Sequence, residues 1–144
     1  MNATADKFGY PDTLIKEYQH WLVLLRPQQV TLGSLVLVCK EPVTSFSDVS
    51  AAAFSELRDA VAAIENVLGK LFDYQKMNYL MLMMVDPDVH YHVIPRYDSD
   101  RSYSGQALVD HGWPALPVLG EFVELEPEVG AQLIAELRGV WPSA

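Results

Sequence analysis

The stretch VDPDVHYHVIPRY, residues 85–97, carries the groups of this chain best suited to chemistry. In an extended segment, side chains at i and i+2 point to the same face. Asp88, His90, His92, Ile94 and Arg96 therefore form one row, and Val89, Tyr91 and Val93 the other. Two imidazoles flanked by a carboxylate and a guanidinium admit three readings. They can be packed, hydrogen-bonded strand residues that do no chemistry. They can be two ligands of one metal ion, with Asp88 a third. Or a neutral imidazole can attack phosphorus through one ring nitrogen while an acceptor holds the proton on the other. A second imidazole on the same face would then contact the phosphate and help the leaving group depart. An unperturbed histidine, with a pKa of ~6.5, is mostly neutral at pH 7 and suits that role. The other two histidines, His20 and His111, are isolated in the sequence.

The elements around this row follow from period and punctuation. YQHWLVLL (18–25) reads as a strand stopped by Arg26-Pro27, and SLVLVC (34–39) as a second, stopped by Lys40-Glu41-Pro42. The two pair as an antiparallel hairpin around residues 27–32. From residue 50 the period changes. Phe54, Leu57, Val61, Ile64, Leu68 and Leu71 recur at spacings of three or four, which predicts an amphipathic helix over 50–72. Ser47, Asp48 or Ser50 caps its start. KMNYLMLMMV (76–85) reads as a strand buried on both faces, its methionines filling core, and 88–97 as the next strand. Residues 98–120 are rich in turn formers and predict a long loop or flap. A short strand at 121–125 and a helix at 128–140, with Val129, Leu133, Ile134 and Leu137 inward, complete the chain. The expectation is an α+β fold: an antiparallel sheet of about five strands, one long central helix and a C-terminal helix.

The 144 residues suffice for one domain with a sizeable core, and half of them are hydrophobic. With 10 basic and 19 acidic side chains the formal charge is −9. That field disfavours DNA and RNA, while a few local donors can still hold a small phosphate ligand. The apolar runs WLVLL and LMLMMV are too short to cross a membrane. The first residues, MNATADKFGYPD, lack the pattern of a secretory leader, so a cytoplasmic location is expected. The single cysteine, Cys39, follows an apolar run and is expected to be a buried thiol.

DVHYHVIPRY resembles the signature of the histidine triad family of nucleotide hydrolases and transferases, which alternates three histidines with apolar residues before a Pro-Arg pair. TLGSLVLVCK resembles that family's glycine-containing strand, and the order hairpin, helix, strand, motif strand extends the likeness over about residues 18–97. The resemblance implies a histidine triad (HIT)-like fold, often a homodimer. It also implies hydrolysis at the α-phosphate of a purine nucleoside phosphoramidate or dinucleoside polyphosphate, through a nucleotidyl-histidine intermediate. His90 matches the nucleophile and His92 the histidine that supports phosphate and leaving group. Asp88 stands where the family has its first histidine, as a modified auxiliary position. Ser34 stands where many members have a further histidine, and Met83-Met84 where many have Asn or Gln. Ser34, Arg96 and Gln28 are the candidate substrate contacts, with Gln29 and Thr31 beside them. Arg96 serves equally well as a partner for an acid at the strand end. No cofactor or metal is expected. The alternative is a nucleotide-binding protein of the same fold with weak catalysis.

Overall fold

A computed structural model describes residues 3–143. Its centre is a five-stranded antiparallel sheet in the order β1-β2-β4-β6-β5: β1 Leu14–Glu17, β2 Trp21–Leu25, β4 Leu35–Cys39, β6 His90–Arg96 and β5 Lys76–Leu80. The expected hairpin is present, with Trp21 opposite Cys39 and Leu25 opposite Leu35. Its first strand is shorter than expected, because Gln19 and His20 form the turn that leads from β1 into β2 and donate their backbone N–H groups to the Glu56 carboxylate. Between β2 and β4, the two-residue strand β3 (Gln28–Gln29) pairs with β9 (Val123–Glu124).

Strand alternation divides the core into two layers. Val23, Leu25, Leu35, Leu37, Cys39, Val89 and Val93 face α2, Ala51–Phe72, which buries Ala53, Ala60, Ile64, Val67 and Leu68 against them. The helix begins at Ser50, whose side chain accepts from the Ala53 N–H at 3.1 Å, one of the three expected caps. Burial raises the Cys39 thiol pKa, as expected of a packed cysteine. The other face of the sheet presents Leu22, Leu24, Val36 and Val38. It is covered by a short helix that periodicity did not predict, α1 Ala3–Lys7, with Ala5 and Phe8 packed inward. The C-terminal helix α3, Pro127–Val140, buries Leu133 and Leu137 in the first layer, and Val129 and Ile134 lie half-buried.

Two expectations need correction. The strand from residue 76 stops at Leu80, and β5 is the sheet edge rather than a doubly buried strand. Residues 81–89 leave the sheet, so Leu82, Met84 and Val85 are exposed, Met84 at 85%. An edge strand has a neighbour on one side only, and an apolar run beyond it has no sheet to enter. The expected loop after residue 97 contains a hairpin, β7 Arg101–Tyr103 with β8 Gln106–Leu108, turned by Ser104-Gly105 at positive φ.

Candidate active site

Register carries the two histidines to the α1 face. Val38 is opposite His90 and Val36 opposite His92, and both valines belong to the layer beneath α1. The imidazoles are buried, His90 2% and His92 7% exposed, with ring centres 5.2 Å apart and nearly perpendicular. The Phe8 ring meets His92 edge-on at 5.7 Å and lies 6.3 Å from His90.

His90 Nδ1 lies 2.7 Å from the backbone carbonyl oxygen of Asp88. A carbonyl only accepts, so the proton sits on Nδ1 and the lone pair is left on Nε2. This is the tautomer a nitrogen nucleophile needs. His92 differs: its buried Nδ1 has no partner among the described residues. Its pKa is pushed down to about 4, first by burial, then by the charge of Arg26 and by His90. His92 is therefore neutral at pH 7.

Asp88 lies just before β6 rather than inside it, which corrects the row read from the sequence. Its backbone orients His90, while its carboxylate turns away to accept the Thr4 N–H at 3.1 Å, and its own N–H reaches Thr4 Oγ1 at 3.3 Å. The carboxylate thus closes one of the open N–H groups at the start of α1. Asp88 thus tethers the N-terminal segment to the start of β6.

The histidines open into a cavity of about 200 Å³ lined by Phe8, Arg26, Gln28, Asp86 and the 82–85 loop, including Met83 and Met84. A second cavity of about 180 Å³ shares Lys7, Phe8, Arg26 and Gln28 with it and continues to Pro27 and Glu124. A larger cleft of about 490 Å³ lies against α3, but no histidine lines it. Among the described residues, no three His, Cys, Asp or Glu side chains are grouped to hold a metal ion.

Of the expected substrate contacts, only Gln28 lines the histidine cavity. Ser34 is fully buried in the turn before β4, where its Oγ donates to the Thr31 carbonyl and accepts the Thr31 N–H. Gln29 bonds the Arg26 and Ser34 carbonyls and the Gly33 N–H, and Thr31 Oγ1 donates to the Pro95 carbonyl. These side chains hold the turn together. At Gly33, φ is +86° and a Cβ would come within 3.2 Å of Phe72, so the turn requires glycine.

Arg96, at the far end of β6, is bound by Asp110 through Nε (2.7 Å) and Nη2 (3.0 Å) and by Asn78 through Nη1 (2.8 Å). Burial raises the Asp110 pKa, but hydrogen bonds from Arg96 and from the Tyr97 and Gly112 N–H groups outweigh it, and the net shift is downward. Of its two sequence-level roles, Arg96 takes that of partner to an acid.

Sequence reasoning missed Arg26, Phe8, Lys7 and Asp86. Only Arg26 had a legible signal: continuing the alternation Leu22, Leu24 places it on the histidine face.

The chain's backbone matches that of a histidine triad protein from Bradyrhizobium japonicum with a TM-score of 0.74 at 19% identity, covering 96% of this chain and 95% of that one. A histidine triad protein from Marinobacter aquaeolei matches with 0.70 at 22%, over 98% and 96%. Diadenosine triphosphate hydrolase from Plasmodium falciparum, solved with cyclomarin A, matches with 0.66 at 10%, over 90% and 76%. These likenesses establish the fold. No curated protein matches the sequence. The HIT domain model matches residues 8–99, from Phe8 through the histidine pair and Arg96. The chain belongs to the histidine triad family.

Proposed function

We propose that the protein hydrolyses a purine nucleoside phosphoramidate or a dinucleoside polyphosphate at its α-phosphorus. His90 Nε2 forms a bond to phosphorus, and the phosphorus–nitrogen or phosphorus–oxygen bond to the leaving group breaks. The leaving group departs as a phosphate, or as an amine whose nitrogen has taken a proton from solvent. Water then attacks the nucleotidyl-histidine, loses a proton, and the phosphorus–Nε2 bond breaks to restore His90. His92, neutral at pH 7, contacts the phosphate oxygens, whose negative charge raises its proton affinity as the substrate enters.

The observation that carries this reading is the bond between His90 Nδ1 and the Asp88 carbonyl, which leaves Nε2 as the free nucleophile. The test is turnover of adenosine phosphoramidate and diadenosine polyphosphates by the parent and by His90→Ala. The variant should lose more than about 10⁴-fold in turnover, as expected for a missing nucleophile. Parent-level AMP release from His90→Ala would remove the assignment.

A second reading, a nucleotide binder with weak catalysis, draws on the burial of both imidazoles beneath Phe8. It predicts AMP binding that His90→Ala leaves intact, with turnover by the parent that is weak on every substrate. The homodimer belongs to the same proposal. The β5 edge and the exposed Leu82, Met84 and Val85 beside it offer a surface for a second copy. Sedimentation at monomer mass would exclude it. A cytoplasmic place of action is likewise proposed, and no described helix is long and apolar enough to cross a membrane.

A further inference from the structure

We propose that Arg26 forms a second anion subsite beside the histidine pair, for a phosphate of the substrate other than the one under attack. The proposal deepens the reading above and takes the histidine cavity as the place of attack.

Arg26 follows the last residue of β2 on the face that carries Leu22 and Leu24, and its N–H bonds the Ser34 carbonyl at 3.0 Å. Arg26 is buried, 7% exposed, and lines both cavities. Its Nη1 donates to the Gln28 carbonyl at 2.6 Å, and its Nε is buried with no partner among the described residues. No described carboxylate forms an ion pair with it. Two acids line the cavities. Asp86 is taken by Lys7 at 3.0 Å, and the exposed Glu124, across the β3–β9 pair from Gln28, leaves Arg26 unbonded.

Burial lowers the Arg26 pKa, yet a guanidinium remains charged at neutral pH. A charge withdrawn from water without a counter-ion destabilises the empty protein. An anionic ligand removes that penalty, and the planar guanidinium fork suits phosphate oxygens. Arg26 lines the same cavity as His90 and His92, so a ligand whose phosphorus lies at His90 has Arg26 within that cavity. The ligand chemistry is a second phosphate. It comes either from further along a polyphosphate chain or from an ester on the sugar.

The test is calorimetric titration of His90→Ala protein, in which turnover is blocked, with four probes: AMP, ADP, adenosine 3′,5′-bisphosphate and inorganic pyrophosphate. At least one two-phosphate nucleotide should bind about tenfold or more tightly than AMP, the gain expected from one charge-assisted contact. ADP as the tighter ligand identifies the chain phosphate, and the bisphosphate identifies the sugar phosphate. Adding Arg26→Gln should erase the advantage while AMP affinity stays within a few-fold. Arg26→Lys, which keeps the charge without the fork, should reduce the advantage several-fold. An undiminished advantage in both variants overturns the subsite, as it does in the Lys variant alone if the Gln variant does not fold. Equal weakening of AMP and the two-phosphate probes overturns it as well. Pyrophosphate held through Arg26 with no nucleotide bound would sink the nucleotide reading and keep the anion site. Silence from all four probes sinks both.

Discussion

Two arginines lie at the ends of central strands, and the protein treats them in opposite ways. Arg96 closes β6 with every side-chain nitrogen bonded, and its partner Asp110 is as buried as itself. Arg26 follows β2 with one bond to a carbonyl and, among the described residues, no partner for its buried Nε and no ion pair with an acid. The first arginine is part of the fold. The second is a charge that the fold leaves uncompensated, beside two imidazoles and two cavities. Burial is nearly equal in the two cases, so burial alone does not distinguish a structural arginine from one set up for a ligand. The partner list does.

Removing each charge should break this comparison most directly. Arg96→Met strands a buried Asp110 carboxylate and should cost about 3–5 kcal/mol of stability in urea unfolding. Arg26→Met removes a charge that lacked a partner, so stability should stay within about 1 kcal/mol or rise. Equal losses from the two variants would mean that Arg26 is structural too.

A smaller effect sharpens the same contrast through His92. Its pKa of about 4 in the folded protein lies below the ordinary ~6.5. The unfolded chain therefore binds more protons between those values, and stability falls as pH drops from about 6.5 to 4. The loss approaches about 3 kcal/mol below pH 4. Urea midpoints at pH 7, 5.5 and 4.5 should follow this slope, and His92→Gln should flatten it. Because Arg26 contributes to the shift, Arg26→Gln should weaken the slope in part. Asp110 acts in a separate window. Its lowered pKa adds stability above the usual carboxylate range that is lost only as pH falls below about 4. A slope that persists in His92→Gln would assign the effect to another group.

The smallest expected effect concerns Asp88. Asp88→Asn weakens the tie to Thr4 but keeps the backbone carbonyl that orients His90. Stability should drop by about 1 kcal/mol or less, and turnover should fall only a few-fold. A collapse of turnover to the His90→Ala level would return the carboxylate to the chemistry.

The sequence was a good guide wherever the deciding interactions are local. Spacings of three and four marked α2 and its Ser50 cap, because a helix repeats its contacts within a turn. Alternation marked β4 and β6 and placed His90 and His92 on one face. The motif around them pointed to the family that the domain match confirms. Legibility declined where an element depends on what lies beside it. The run 76–85 has the composition of a core strand, yet its second half has no neighbouring strand to pair with. Helix α1 holds only five residues, too few for a period, and it is fixed by contacts with Asp88 some 84 positions away.

What the sequence by itself determined is the pair of imidazoles on a strand face, the long helix behind the sheet and the family. What only the tertiary structure decided is the partner of each polar group. Asp110 goes to Arg96, Thr4 to Asp88, the Asp88 carbonyl to His90, and no described acid to Arg26. Periodicity records which face a side chain occupies, because backbone geometry repeats every two or 3.6 residues. It carries no record of which distant residue fills the space opposite, and at this site that neighbour decides whether a charge is structural or open to a ligand.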